Sequence, residues 1–160
     1  MDKEQTLEAL RSHPLLQRLS EQQLERFAEV GDVESFDPHE TIVTEGSLGD
    51  SIYLILSGTT EVLKAGTGGR RLATLESGDF FGEMSLVEAA SRCASVISTE
   101  HVEVFRLPNQ AMHLLAIEDP KGMNTVMVAI IRALSERLRR MNDTIATVGQ
   151  LSDWLAGSLV

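Results

Sequence analysis

The chain has 160 residues, a formal charge of −10 and a sequence pI near 4.8. That acidity argues against a nucleic-acid face, which needs cations to displace the counterions of phosphates, and against binding to anionic membranes. Cys93 is the only cysteine, which excludes an internal disulfide, a cysteine-rich zinc site and an iron–sulfur cluster.

The first thirty residues carry Leu7, Leu10, Leu15, Leu16, Leu19, Leu24, Phe27 and Val30 at mostly three- and four-residue spacings, which predicts helix. Pro14 breaks the pattern into two short helices. Ser20 with Gln23 reads as a capping box opening the second, and Gly31 closes it. The opening residues carry acids where a signal peptide would carry an apolar segment.

From Val33 to Leu107 short apolar stretches alternate with turn signals such as Asp37-Pro38, Gly49-Asp50, Ser57-Gly58 and Ser77-Gly78-Asp79. This is the rhythm of an antiparallel sandwich or barrel. Strands are predicted at 51–56, 60–64, 71–75 and 102–107. After Pro108 the helical period returns, with a short helix over Ala111–Glu118 stopped by Pro120. Beyond it, Met123, Met127, Ile130, Leu134, Leu138, Met141, Ile145 and Val148 form one stripe at near-heptad spacing. A stripe that long either lies on the domain or pairs with a second copy, and both hold for different parts of it. Arg137, Arg139 and Arg140 are expected on a solvated face or against an acidic partner. The longest apolar runs, Ile52–Leu56 and Val126–Ile131, are too short to cross a bilayer, so a cytoplasmic protein is expected. His13, His39, His101 and His113 are scattered, so no metal site is expected, and no nucleophile–base pair points to an enzyme.

The segment around Gly82 carries the chemistry. Gly82 permits a backbone position that a side chain would obstruct. Residues 83–90 are able to form a short helix whose first N–H groups are free to bind phosphate. Arg92 offers a rigid fork of donors that matches phosphate oxygens. Glu83 suits sugar hydroxyls, and Ser85 and Ser95 add hydroxyls. Ala89, Ala90, Ser91 and Ala94 let the segment wrap closely around a ligand. One carboxylate and one arginine together describe a nucleotide monophosphate. The competing structural readings are an Arg92 paired with a surface carboxylate, a solvated Glu83 at a helix start, serines that only cap turns, and Cys93 as a small packed residue.

Phe81-Gly82-Glu83-Met84-Ser85-Leu86, followed by Arg92-Cys93-Ala94-Ser95-Val96, strongly resembles the phosphate-binding cassette of cyclic nucleotide-binding domains. These occur in catabolite activator proteins, protein kinase A regulatory subunits and cyclic-nucleotide-gated channels. Pro14-Leu15-Leu16, Leu19-Ser20, Glu45-Gly46, Gly49-Asp50, Tyr53–Gly58 and Gly78-Asp79-Phe80 also look like the family's pattern, so the likeness covers roughly residues 10–145. It implies an α+β fold: an antiparallel β jelly-roll barrel with N-terminal helices, a short cassette helix and a long C-terminal helix. The expected organisation is one domain over 1–160, with a helical lead over 1–32, the jelly roll over 33–107 and C-terminal helices over 108–160. Too few residues follow Ile145 for a helix-turn-helix output module.

By the same resemblance Glu83 takes the ribose 2′-hydroxyl and Arg92 the cyclic phosphate. Backbone N–H groups near Met84, Ser85 and Ala94 complete the phosphate cradle. Val62, Leu72 and Met84 wall the purine, and Asn142 on the closing helix meets the base edge. Gly82, Cys93 and Ser95 complete the candidate set. Ser91 and Cys93 depart from the family, where many members carry Pro before the arginine and Ala, Ser or Thr after it. A thiol donates poorly, which favours cAMP over cGMP. The implied function is a cyclic-nucleotide sensor that signals through the C-terminal helix, without cofactor or catalysis, as a homodimer through that helix and with a further, unidentified protein partner. The alternative is a dimerisation or docking module that keeps the fold without the ligand.

Overall fold

The computed structural model describes residues 2–66, 68, 70–87 and 91–157, with the side chains of 149–157 left out. Two short helices lead, α1 (Lys3–Ser12) and α2 (Glu21–Val30). Both open on capping boxes that satisfy otherwise free N–H groups. Gln5 N donates to Asp2 Oδ1 at 2.8 Å, and in α2 the Ser20 N donates to Gln23 Oε1 at 2.8 Å while Gln23 N donates to Ser20 Oγ at 3.3 Å. Gly31 closes α2 in an extended conformation, with φ −124°, so it is not a left-handed cap. Its glycine is needed because a Cβ there would run into the Phe105 ring and the Arg106 carbonyl.

Eight strands follow: β1 (Asp32–Phe36), β2 (Thr41–Val43), β3 (Ser51–Ser57), β4 (Thr59–Leu63), β5 (Arg71–Glu76), β6 (Phe80–Phe81), β7 (Ser95–Ser98) and β8 (Val102–Pro108). They form two antiparallel four-stranded sheets, in the orders β1-β8-β3-β6 and β2-β7-β4-β5. This is the expected jelly roll of packed sheets with helices outside it. The first sheet is buried on both faces. Ile52 and Leu54 of β3, with Phe105 and Leu107 of β8, pack under the helices against Leu10, Leu16, Leu24, Phe27, Leu115 and Ile130. Their neighbours Tyr53, Ile55, Val102 and Val104 turn inward to meet Leu75 and Val96 of the second sheet. Side chains alternate along a strand, so a strand covered on both sides reads as an unbroken apolar run; Ile52–Leu56 is that run. Each such fully buried side chain contributes about 1.5–3 kcal/mol.

Helix α3 (Asn109–Glu118) starts two residues earlier than its apolar spacing implied, and α4 (Pro120–Gly157) opens on Pro120, whose missing N–H is harmless at a first helical position. Met123, Val126 and Ile130 of α4 are buried, Met127 and Leu134 half-buried, and every described side chain from Leu138 to Val148 is exposed. Arg137 is not on a solvated face as expected. It turns back onto β6, where its Nη2 donates to the Phe80 carbonyl at 2.7 Å, its guanidinium sits 4.3 Å from the Phe80 ring centroid, and Asp79 lies 3.6 Å away. Among the described residues no helix is long and apolar enough to cross a membrane.

His13 ties the helical lead to the turn before β6. Its Nδ1 accepts from Leu15 N at 3.3 Å, which leaves the proton on Nε2 to donate to the Asp79 carbonyl at 3.1 Å. Burial pushes its pKa below the ordinary histidine value, against a smaller opposing pull from Asp79. A histidine whose folded pKa is depressed binds its proton more readily when unfolded, so it lowers stability as pH falls below the unfolded value of about 6.5. Thermal melts taken from about pH 7.5 to about pH 5 should therefore show a steeper loss of melting temperature in the parent chain than in His13→Gln. Parallel curves would remove His13 from this role.

Candidate functional site

Strand β6 runs directly into Gly82, which sits in the left-handed region at φ +86° and opens the 3-10 turn Glu83–Leu86. The segment over 83–86 is thus a tight turn rather than the full helix expected, and Glu88, Ala89 and Ala90 lie outside the described residues. Arg92 returns beneath this turn. Its backbone is fixed to the loop after β2, with Arg92 N donating to Ser47 O at 2.7 Å and Gly46 N donating to Arg92 O at 2.9 Å.

The Arg92 guanidinium occupies a slot between two glycines. A Cβ at Gly82 would lie 2.6 Å from its Nη1 and 2.6 Å from the Ser51 carbonyl, and a Cβ at Gly49 would lie 2.9 Å from its Cζ. Its Nη2 donates to Ser51 O at 2.8 Å, its Nη1 makes a longer 3.4 Å contact to Gly82 O, and its Cζ stands 5.7 Å from the Tyr53 ring centroid. Tyr53 in turn stacks on Phe81 at 4.9 Å and 9°. Among the described residues no carboxylate forms an ion pair with Arg92. Asp50 is near, but its carboxylate accepts from Ser51 Oγ at 2.8 Å and pairs with Arg106 at 3.3 Å. The Ser51 hydroxyl, then Arg106 and Arg92, hold the Asp50 carboxyl below the usual carboxylate range despite some burial.

The other candidates fall around this slot to differing degrees. Glu83 is half-buried, and among the described residues nothing hydrogen-bonds or pairs with its carboxylate. Ser85 is buried and faces inward. Both its Oγ, at 2.8 Å, and its N, at 3.2 Å, donate to Gly82 O, as a turn former would. Ser95 Oγ accepts from Glu45 N at 2.9 Å. Cys93 is exposed rather than packed, with its sulfur 3.9 Å from that of Met84, and its carbonyl accepts from Lys64 Nζ at 3.1 Å. Ala94 is half-buried between Arg92 and β7, and Val62 is half-buried against the core between the sheets. Leu72 and Met84 are exposed. Asn142 is exposed on the part of α4 that runs beyond the domain, and nothing in the described contacts brings it to the slot.

Gly49-Asp50 registered in the sequence only as a turn and family signal, and Arg106 and Asn109 were passed over as site residues. Arg106 and Asp50 brace the floor of the slot, and Asn109 Nδ2 donates to Ser85 O at 2.8 Å. Of Arg106 and Asn109 only the latter had a local signal, a cap-type residue after Pro108, although the N-cap of α3 is Pro108 itself. A cleft of about 600 Å³ between α2 and the α3–α4 junction lies elsewhere. Several of its polar groups are already paired: Gln23 Nε2 donates to Asp119 at 2.6 Å and Arg26 grips Glu118 at 2.8 and 2.9 Å.

The family model described as the cyclic nucleotide-binding domain matches residues 33–119, more than half of the chain and the whole of this slot. The chain belongs to the cyclic nucleotide-binding domain family. It is 36% identical over 106 residues to a cAMP-dependent protein kinase regulatory subunit of Colletotrichum orbiculare, a match covering 66% of this chain and 27% of that protein. It thus spans about a quarter of the length of that curated relative. Among solved structures it is similar to a cyclic nucleotide-binding domain from Methylobacillus flagellatus, with a TM-score of 0.77, 26% identity and coverage of 89% of this chain and 81% of that one. It is also similar to the regulatory domain of Toxoplasma gondii protein kinase A crystallised with cAMP, with a TM-score of 0.69, 25% identity and coverage of 83% and 49%.

The Gly82 geometry makes a testable demand. Gly46 also has positive φ, at +81°, but nothing lies within 4 Å of where its Cβ would be. Gly46→Ala should therefore carry only the backbone strain of about 1 kcal/mol. Gly82→Ala should carry that strain plus displacement of Arg92, about 2–3 kcal/mol in total. At about 2–4 °C per kcal/mol, calorimetry should find the larger drop in melting temperature at Gly82; equal drops would mean the slot is not tightly built.

Proposed function

We propose that the domain is a cAMP sensor with a regulatory rather than catalytic role. The cyclic phosphate is held by Arg92 and by N–H groups of the turn at Met84 and of Ala94, and the ribose hydroxyl by Glu83. The observation that carries this reading is the Arg92 guanidinium itself, half-buried, gripped by backbone carbonyls and without a carboxylate in ion-pair contact among the described residues. A charge removed from water and left unpaired is costly, so a phosphate is the partner the slot is shaped to accept. Cys93, with a sulfur in place of a hydroxyl beside the arginine, favours cAMP over cGMP. So does the company of relatives named for cAMP.

Occupancy is transmitted through α4. Arg137 binds that helix to Phe80 and Asp79, two and three residues before Gly82, so a shift of the cassette is felt at the helix. Ligand moves this equilibrium only by its preference for one arrangement over the other. The projecting half of α4 joins a second copy of the chain. Leu134, Leu138, Met141, Ile145 and Val148 recur at spacings of four and three, the self-complementary a/d pattern of a two-stranded coiled coil, and the last four are 59–66% exposed.

Isothermal titration should show cAMP binding to the parent chain. Arg92→Ala should lose about 2–4 kcal/mol of it, roughly 30- to 1000-fold in affinity, and an unchanged affinity refutes the assignment. Light scattering after gel filtration should give a dimer for the parent chain and a monomer for the double variant Leu138→Lys, Ile145→Lys. If both elute with the same mass, α4 is not the dimer seam.

A further inference from the structure

We propose that Asn109 is a positioning residue of the nucleotide site, holding the cassette turn to the first turn of α3; the proposal rests on reading that turn as the nucleotide cassette. Asn109 faces three ways. Its backbone N donates to the Asp50 carbonyl at 2.8 Å, next to Ser51, whose carbonyl receives Arg92. Its Nδ2 donates to Ser85 O at 2.8 Å and approaches Ser85 Oγ at 3.4 Å. Its Oδ1 is buried and has no hydrogen-bond partner among the described residues.

The Ser85 end of this link matters because Ser85 closes the turn. Through N and Oγ it holds the Gly82 carbonyl, which also touches Arg92 Nη1. One residue thus joins the loop that ends at Asp50, through its backbone N–H, the turn that carries Glu83, through its side-chain amide, and the helix that leads into α4. The assignment of the amide is fixed by chemistry: a flipped side chain would set Oδ1 against the Ser85 carbonyl, two acceptors face to face. The unpaired Oδ1 adds no second tie, so the register of cassette and helix depends on the Nδ2 bond. An unsatisfied buried acceptor is unfavourable for stability, and its presence here is consistent with a residue selected for position.

Asn109→Asp tests this with little change of shape. The ionised carboxylate has no proton to donate and faces the Ser85 carbonyl. Protonated, it donates again, and that environment raises its pKa by penalising the charged form. Titration of cAMP at about pH 8 should show affinity about ten-fold weaker than the parent chain. The deficit should close as pH falls to about 5, relative to the parent chain at each pH. Hydrogen exchange at about pH 8 should accelerate at the amides of 82–87 and leave those of β3 and β8 unchanged. Parent-like affinity at about pH 8, a deficit that does not close, or acceleration spread over the whole chain overturns the proposal. If the parent chain binds no cyclic nucleotide, the nucleotide reading fails, and exchange alone decides: local acceleration over 82–87 supports the positioning role and its absence overturns it. Should Asn109→Asp not fold, Asn109→Ala gives the same exchange readout.

Discussion

A guanidinium pressed between two glycines, with carbonyl oxygens for partners, is the constraint on which the site depends. A carboxylate in ion-pair contact would compete directly with a phosphate, and releasing it on binding would cancel much of the gain. Carbonyl dipoles hold the Arg92 fork in place without neutralising it. Asp50, the nearest acid to bear on it, is turned to Ser51 and Arg106 and contributes field rather than contact. The slot has room for this arrangement only because Gly49 and Gly82 lack side chains. Its floor is the stacked pair Tyr53 and Phe81, which are register partners across β3 and β6. The apolar core and the charged site are therefore one construction: the strand pairing that buries Ile55 and Val104 also sets the height of Tyr53 beneath the arginine.

The helices meet this construction at its root rather than its rim. The Asp79 carbonyl accepts from both Ile55 N and His13 Nε2, and the next carbonyl, of Phe80, accepts from Arg137. The helical lead and α4 thus grip consecutive residues of the chain that enters Gly82, while Asn109 grips the far side of the same turn. Coupling between two parts of a protein needs an element that both can bias. Here it is a seven-residue stretch, from Asp79 to Ser85, held at both ends by groups belonging to the helices. A displacement of the turn would alter bonds of about 2.7–3.1 Å whose strength falls steeply with geometry, which is the route by which the proposed sensor would reach α4.

Much of this was legible in the amino-acid order. The period change near Val33 and Pro108 marked the borders of the sheets, and Ser20 with Gln23 formed both halves of the capping box they suggested. The Gly82-Glu83 and Arg92 spacing located the slot. What was not legible depends on distance in the fold. β2 and β7 are only three and four residues long, too short for an alternation to register, and are defined by pairing with each other and with β4. Arg137 sits in a run with Arg139 and Arg140, and nothing local separates the one that folds back on Phe80 from those that remain exposed. Cys93 reads as a small core residue by type, yet it sits outside because Arg92 takes the interior position beside it. Gly31 reads as a helix cap, but its need for glycine comes from the Phe105 ring seventy-odd residues away.

The apolar stripe of α4 is continuous in sequence but not in what covers it. From Met123 to Leu134 the domain itself provides the cover, through Leu115, Phe27 and their neighbours. Past Arg137 the domain ends and the stripe goes on, with Leu138, Met141, Ile145 and Val148 all exposed. A straight helix drifts by about 20° per heptad from a strict seven-residue repeat. A stripe meant only for the domain would have no reason to persist at four-three spacing beyond the last contact, since isolated exposed leucines and isoleucines contribute nothing to the fold. The inner half of the face is covered by the domain, the outer half is left for the second copy proposed above, and Arg137 stands at the changeover. In the proposed sensor, whatever pulls on the outer half would act through Arg137 on the Phe80 carbonyl, two residues before Gly82. Under that proposal, binding at the slot and pairing along the helix are linked through this one side chain.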